Sequence, residues 1–186
     1  MKLIMEKFDH FINEAAKGSE DLGDYNIYVE NDDDYLNISI GSEGNDSELG
    51  RIEAQPLENC SQVWYVSDVE AQQGWGPFLY DLAIAYCSIN GRRGLTADKS
   101  ASTTEDAFNV WKFYYKNRED IGKDQITDIC PDVQMTVRMR GAGRGGMSGQ
   151  IMQPESEEYS ILTSVYVMPV AEATLLDKVS DKVKEL

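Results

Sequence analysis

Three groups of residues could do chemistry. Residues 71–76 read AQQGWG, with Pro77 next and an apolar-periodic run after it. Glycines let a backbone approach an anion, and the free N–H groups of a helix start point toward it. Asp68 and Glu70 close the preceding strand, and Glu53 lies on its neighbour. A carboxylate can serve as a general base, or be simply a solvated surface acid. Tyr114 and Tyr115 carry hydroxyls that could donate a proton.

Other chemistries are poorly served. GAGRGG at 141–146 satisfies G-x-G-x-x-G, but the sequel MSGQIMQPESEE has no helical period to hold a pyrophosphate. A flexible hairpin loop is expected there. The single histidine, His10, leaves no basis for a His-based zinc site or a Ser-His-Asp triad. Cys60, Cys87 and Cys130 fit neither a disulfide framework nor a C-x-x-C site. All three are expected to be reduced thiols, with Cys87 in the core. No metal is expected.

With 33 acidic and 17 basic residues the formal charge is −16. A broad nucleic-acid footprint needs a basic face, so no nucleic acid is expected. A cationic partner, either an amine or a basic protein, is permitted; the charge could equally serve solubility alone. No apolar run approaches membrane-spanning length, and the first residues lack a signal-peptide core, so a cytoplasmic location is expected.

The elements that must position these groups are legible in outline. Residues 2–17 have an amphipathic helical period. Strand signals follow at 25–30, 35–41 and 48–54, separated by NDDD and SEGNDS, and a dense strand at 63–69 leads into AQQGWG. Pro77 suits a first helical turn, Phe78, Leu79, Leu82, Ala83 and Tyr86 share a face, and Asn90-Gly91 ends the helix near Ile89. GLTADKS at 94–100 reads as a strand. Ser102 and Glu105 have capping-box spacing ahead of a helix striped by Ala107, Phe108, Trp111, Tyr114 and Tyr115. Segments 133–140 and 159–168 can pair as a final hairpin, and residues 171–186 read as a second amphipathic helix. Trp64 and Trp111 have core periods. Trp75 sits in the turn, as a lid on a ligand or a plug into a partner.

The order strand, AQQGWG turn, helix, strand, helix resembles the core of the GNAT family of N-acetyltransferases, whose pyrophosphate loop reads Q/R-x-x-G-x-G/A. Gly74 and Gly76 match; Ala71 stands where the family has Gln or Arg. The family's later helix carries N-x-x-A-x-x-L-Y. Here Thr104, Ala107, Val110 and Trp111 fall in register, so the alanine and the apolar position match. Trp111 replaces the tyrosine that often protonates the departing thiolate, and an indole cannot donate that proton. Tyr114 or Tyr115 could replace it if the helix presented one to the site. The run GWGPFLYDLAIAY, GLTADKSA, DAFNVWKFYYKNRED also resembles a GNAT-like group encoded by tailed bacteriophages.

The resemblance implies an α+β fold: a mixed, mostly antiparallel twisted sheet with helices on both faces. It would occupy residues 21–170, including a Gly-rich loop at 141–158, with terminal amphipathic helices at 1–20 and 171–186. It implies an acyl-CoA-dependent N-acyltransferase that uses acetyl-CoA. Val69, Gln72, Gln73, Gly74, Trp75 and Gly76 would bind the cofactor, in part through a splayed strand pair. Asp68, Glu70 or Glu53 would be the base, and Tyr114 or Tyr115 the acid. The alternative is an inactive GNAT scaffold serving as a virion component or host-protein binder, docking or oligomerising through its terminal helices.

Overall fold

A computed structural model describes residues 17–42, 48–90, 92–97, 105–133, 138–139, 150–151, 153–169 and 174–185. The chain opens with β1 (Asn26–Asn31), β2 (Leu36–Gly41), β3 (Glu48–Leu57) and β4 (Cys60–Ala71). Helix α1 (Gly76–Ile89), β5 (Leu95–Thr96), α2 (Glu105–Asn117), β6 (Gly122–Gln125) and α3 (Ile126–Ile129) follow. Then come β7 (Arg138–Met139), β8 (Gln150–Ile151), α4 (Glu157–Leu162), β9 (Ser164–Val167), α5 (Thr174–Lys178) and β10 (Val183–Glu185). The protein is α+β. Its main sheet has eight strands in the order β10-β1-β2-β3-β4-β5-β9-β6, and β7 pairs separately with β8. Pairing is antiparallel except for β1 with β10 and β4 with β5.

The first four strands form the expected meander. In β2, Leu36, Ile38 and Ile40 are buried and the residues between them are half-buried, the period-two signature of a sheet with one core face. The NDDD turn closes by local bonding: Asp32 N–H donates to Tyr35 O at 2.9 Å, and Asp34 N–H to Asp32 Oδ1 at 2.8 Å. β3 and β4 are longer than the sequence pattern suggests, 10 and 12 residues.

Adjacent residues of the central strands feed different cores. Trp64 of β4 and Tyr166 of β9 join the larger cluster with α1 and α2; Val63 and Val165 join a smaller one with Ile126 of α3. Alternation along a strand sends neighbours to opposite faces, so the two clusters lie on the two sides of the sheet. α1 is buried nearly all round, with Phe78, Leu79, Leu82, Ala83, Ile84 and Ala85 at 3% exposure or less. Gly94, at φ +128, precedes β5 where an added Cβ would stand 2.5 Å from Tyr166 O, so no larger residue lets β5 close on β9.

Several expectations are corrected. Residues 159–168 are not one strand. Tyr159–Leu162 belong to α4, because Ser156 Oγ accepts the Tyr159 N–H at 3.1 Å and Glu157 and Glu158 favour a helix start. β9 then pairs with β5 and β6, not with 133–140. The carboxy-terminal helix is only α5; the chain turns after it and adds β10 in parallel to β1. β5 spans two residues rather than seven. Cys60 and Cys130 are not thiols: they form a disulfide, with Cα atoms 6.0 Å apart. The topology brings the start of β4 against the end of α3, a proximity that sequence spacing does not reveal. Cys87 is the expected buried free thiol, its pKa pushed up to about 12 by burial. The helix at 2–17 (beyond Lys17), the Ser102 capping box, GAGRGG and most of strand 133–140 lie outside the described residues. No helix among the described residues is long and apolar enough to cross a membrane.

The disulfide closes a separation of 70 residues, so it should add about 2–4 kcal/mol. Dithiothreitol should lower the melting temperature of the wild type and leave a Cys60→Ser, Cys130→Ser variant unchanged. A wild-type melt indifferent to reductant would show that the bond does not form.

Candidate functional site

The candidate site begins where two parallel strands part. β4 pairs with β5 only at Trp64↔Leu95 and Tyr65↔Thr96, yet β4 runs on to Ala71 along β3. The β3–β4 register also shifts here: Ala54 pairs Val66 and Glu53 pairs Asp68, so Ser67 is an extra, bulged residue. A bulge bends its strand and increases the local twist. Both effects act at the point where β4 leaves β5, and the edge of β4 beyond Tyr65 has no β5 pairing. Val69 is half-buried on this stretch.

The strand ends in a tight turn. Trp75 N–H donates to Gln72 O at 3.1 Å, and Gly74, third of the four residues, has φ +91. A positive φ at that place is the glycine requirement of a type II turn. Gln72 ties the turn to β3, its N–H reaching Leu49 O at 2.8 Å and its Nε2 reaching Glu48 O at 2.7 Å. Trp75 is the N-cap of α1, and its carbonyl accepts the first helical bond from Leu79 N–H at 3.1 Å. Gly76 and Phe78 therefore start the helix without an intrahelical acceptor, and Pro77 needs none. Gln72 and Gln73 are exposed; Gly74, Trp75 and Gly76 are buried. Trp75 is 6% exposed, edge-on to Phe78 at 6.0 Å, so it is a core residue rather than an exposed anchor. Gly74 O accepts the Lys17 N–H at 2.9 Å.

The three candidate bases converge on a residue that motif reading passes over, Arg51. Arg51 Nη2 lies 3.6 Å from Asp68 Oδ2 and 3.5 Å from Glu70 Oε2, while Nε lies 3.8 Å from Glu53 Oε1. Register explains it: Arg51 opposes Glu70 and Glu53 opposes Asp68 on neighbouring strands. Glu70 first raises the Arg51 pKa; desolvation opposes it, and Glu48, Glu53 and Asp68 add to the rise. Tyr35 is raised by partial burial and by Glu53, to which its hydroxyl bonds. Alternation could have found Arg51, since it and Glu53 are two apart on one strand.

The candidate acids sit elsewhere. Tyr114 is 1% exposed, and its hydroxyl donates to Asp81 Oδ1 at 2.7 Å, with Pro77 O 3.1 Å away. Burial, then Asp81, holds its pKa well above the ordinary value. Tyr115 is half-buried against the main core. Trp111 is stacked on Tyr166 at 4.8 Å and meets Tyr80 edge-on at 5.2 Å. Arg118 completes a network, reaching Asp81 Oδ1 at 2.7 Å and Asp120 Oδ2 at 2.6 Å. Burial raises Asp81 while Arg118 opposes it; Arg118 hydrogen bonds chiefly lower Asp120. These side chains join α1, α2 and the approach to β6.

The structure therefore gathers Asp68, Glu70 and Glu53 on one sheet face and places Gly74 to Gly76 at the strand-to-helix turn. Tyr114 is held apart from those acids, in the α1–α2 packing. Among the described residues no group of three His, Cys, Asp or Glu could hold a metal ion. No family model, curated protein or solved structure matches the chain.

The network at Arg118 should behave as one unit. Arg118→Met should lower unfolding free energy by about 1–3 kcal/mol, because it leaves Asp81 half-buried beside Tyr114 without its cation. Adding Asp81→Asn should return part of that loss. Denaturant melts of the two single variants and the double variant give the coupling; strict additivity would mean the pair does not interact.

Proposed function

We propose that this chain is a GNAT-like acyl-CoA-dependent N-acyltransferase whose cofactor lies in the opening between β4 and β5. The observation that carries the reading is the parting of these parallel strands at the Ser67 bulge, followed at once by the Gly74–Gly76 turn and α1. It supports the reading because the family resemblance implies a splayed strand pair followed by a glycine turn. The unpaired edge of β4 near Val69 would bond the pantetheine amides. The first amides of α1, at Gly76 and Phe78, would face the pyrophosphate.

The chemistry is direct transfer. The neutral amine attacks the acetyl carbonyl carbon, a C–N bond forms, and the C–S bond breaks. The amine's proton passes to Asp68, Glu70 or Glu53, and the thiolate takes a proton to leave as coenzyme A. Tyr114 already donates to Asp81, which leaves Tyr115 as the candidate acid.

Two observations favour the alternative, a scaffold without catalysis in a virion or bound to a host protein. Gly74 and Gly76 are buried. The disulfide suits a protein that acts in oxidising surroundings.

Calorimetry with acetyl-CoA separates the readings. A working site should bind in the micromolar range, about −8 kcal/mol. Gly74→Glu should abolish binding by adding a carboxylate and straining a positive φ. Gln73→Glu, on an exposed position, should weaken it about tenfold by charge alone. A folded wild type that does not bind leaves the scaffold reading.

A further inference from the structure

A cavity of about 520 Å³ lies toward the β10 edge of the main sheet, between α1, α5 and the strands β10, β1 and β2. That volume falls in the range of small-molecule sites, roughly 300–1,000 Å³. Its walls are apolar: Ile27 and Val29 of β1, Ile38 of β2, and Leu82 and Ile89 of α1. Leu82, Tyr86 and Ile89 recur at helical spacing, so one stripe of α1 faces the space. Ile89 is 45% exposed, alone among the large apolar residues described, and marks the open side. β10 closes the edge. Its Val183 and Glu185 stand in register beside Ile27 and Val29 and line the cavity with them.

The polar groups of the lining offer mainly acceptors. Glu185 is a carboxylate. Ser180 Oγ donates its hydrogen to Asp177 O at 2.9 Å and keeps its lone pairs. Asn90 Nδ2 donates to Tyr86 O at 2.9 Å, and Oδ1 remains an acceptor. Burial first, then Glu185, raises the Tyr86 pKa, so a neutral hydroxyl stands near that carboxylate. No lysine or arginine lines the cavity among the described residues. Lys182 Nζ is held by Gly23 O at 2.7 Å, and Arg92 lies 4.1 Å over the Trp64 ring. Lys184, between Val183 and Glu185 on β10, is sent to the opposite face by strand alternation. Apolar walls with one uncompensated carboxylate suit an apolar body that carries a cationic donor. An alcohol leaves Glu185 without a counter-charge, and a fatty acid meets it with like charge. We propose that this cavity binds a small amphiphilic primary amine, its hydrocarbon along Leu82, Ile38 and Val29 and its ammonium against Glu185 beside Tyr86. The inference does not rest on the transferase reading: β3 stands between β2 and β4, so this ligand lies apart from the β4–β5 opening.

The test is a 1H–15N NMR titration of the full chain with n-hexylamine, 1-hexanol, hexanoate and methylamine at one ionic strength. Methylamine reports the general pull of a chain with formal charge −16 on any cation. Hexylamine should bind at least about tenfold more tightly than methylamine, which lacks the hydrocarbon, and than hexanoate, which reverses the charge. Its shifts should centre on Tyr86, Ile89 and Val183. Glu185→Gln removes the charge at an exposed position, so the fold is kept, and hexylamine should fall to the level of 1-hexanol. Ile89→Lys sets a cation at the open side and should weaken hexylamine about tenfold while sparing 1-hexanol. Wild-type binding of hexylamine no tighter than that of methylamine or hexanoate overturns the proposal. So does an advantage over 1-hexanol that survives Glu185→Gln, or shifts confined to residues away from the cavity.

Discussion

A strand must satisfy its backbone groups along both edges, and β4 does so unevenly. On one side it pairs with β3 over its length; on the other it meets β5 at only Trp64 and Tyr65. The rest of the architecture follows from that mismatch. β5 cannot lengthen toward the turn while β4 bends away at Ser67. β9 closes on β5 only because Gly94 has no side chain to strike Tyr166 O. α1 must start where β4 ends, since four residues turn the chain at Gly74 and bond it back to Gln72. The opening, the turn and the helix start thus come from one hydrogen-bonding constraint.

What closes the fold around that opening is aromatic packing with a charged clasp. Trp111, Tyr166, Tyr80 and Tyr114 form edge and stacked pairs, each worth about 0.5–1.5 kcal/mol beyond its buried area. Two of the tyrosine hydroxyls are bound within the protein: Tyr166 OH donates to Ile161 O at 2.9 Å, with Trp111 O at 3.2 Å. Tyr114 OH is bound to Asp81. A proton held in this way orders two helices. Its transfer to a leaving group would require breaking a short bond to a buried carboxylate. Burial raises Asp81 and so favours its protonated form; its contribution to stability falls as pH rises. Asp120, lowered by Arg118, contributes in the opposite sense, with stability lost as pH falls through its lowered value.

The polar face and the glycine turn lie on the same two strands but make different demands. Gly74 and Trp75 of the turn are buried and Gly74 is bonded to Lys17, while the Arg51 face keeps unpartnered atoms and long ion pairs. Rigid, satisfied backbone holds a shape. Loosely held surface charges contribute little to that shape.

Local chemistry was legible in the sequence: the meander and its acidic turns, the glycine turn into α1, the end of α1 at Asn90, and the core roles of Trp64 and Trp111. Each depends on neighbours within a few residues or on one period along an element. The pairings of distant segments were not legible. Residues 159–162 carry strand-like residues, yet the Ser156 cap makes them helical. The carboxy-terminal segment has a helical period, yet Val183–Glu185 form a strand beside β1. Cys60 and Cys130 looked unrelated, yet the fold brings them together. Asp68, Glu70 and Glu53 were individually visible as acids; alternation puts Arg51 on the face of Glu53, and the β3–β4 register brings Asp68 and Glu70 to it. The sequence by itself determined which short stretches turn, start helices and face a core, because backbone propensity and periodicity are local. Only the tertiary structure decided which strands meet, which cysteines join and which charges share a face, because those depend on closing loops of tens of residues around one buried sheet.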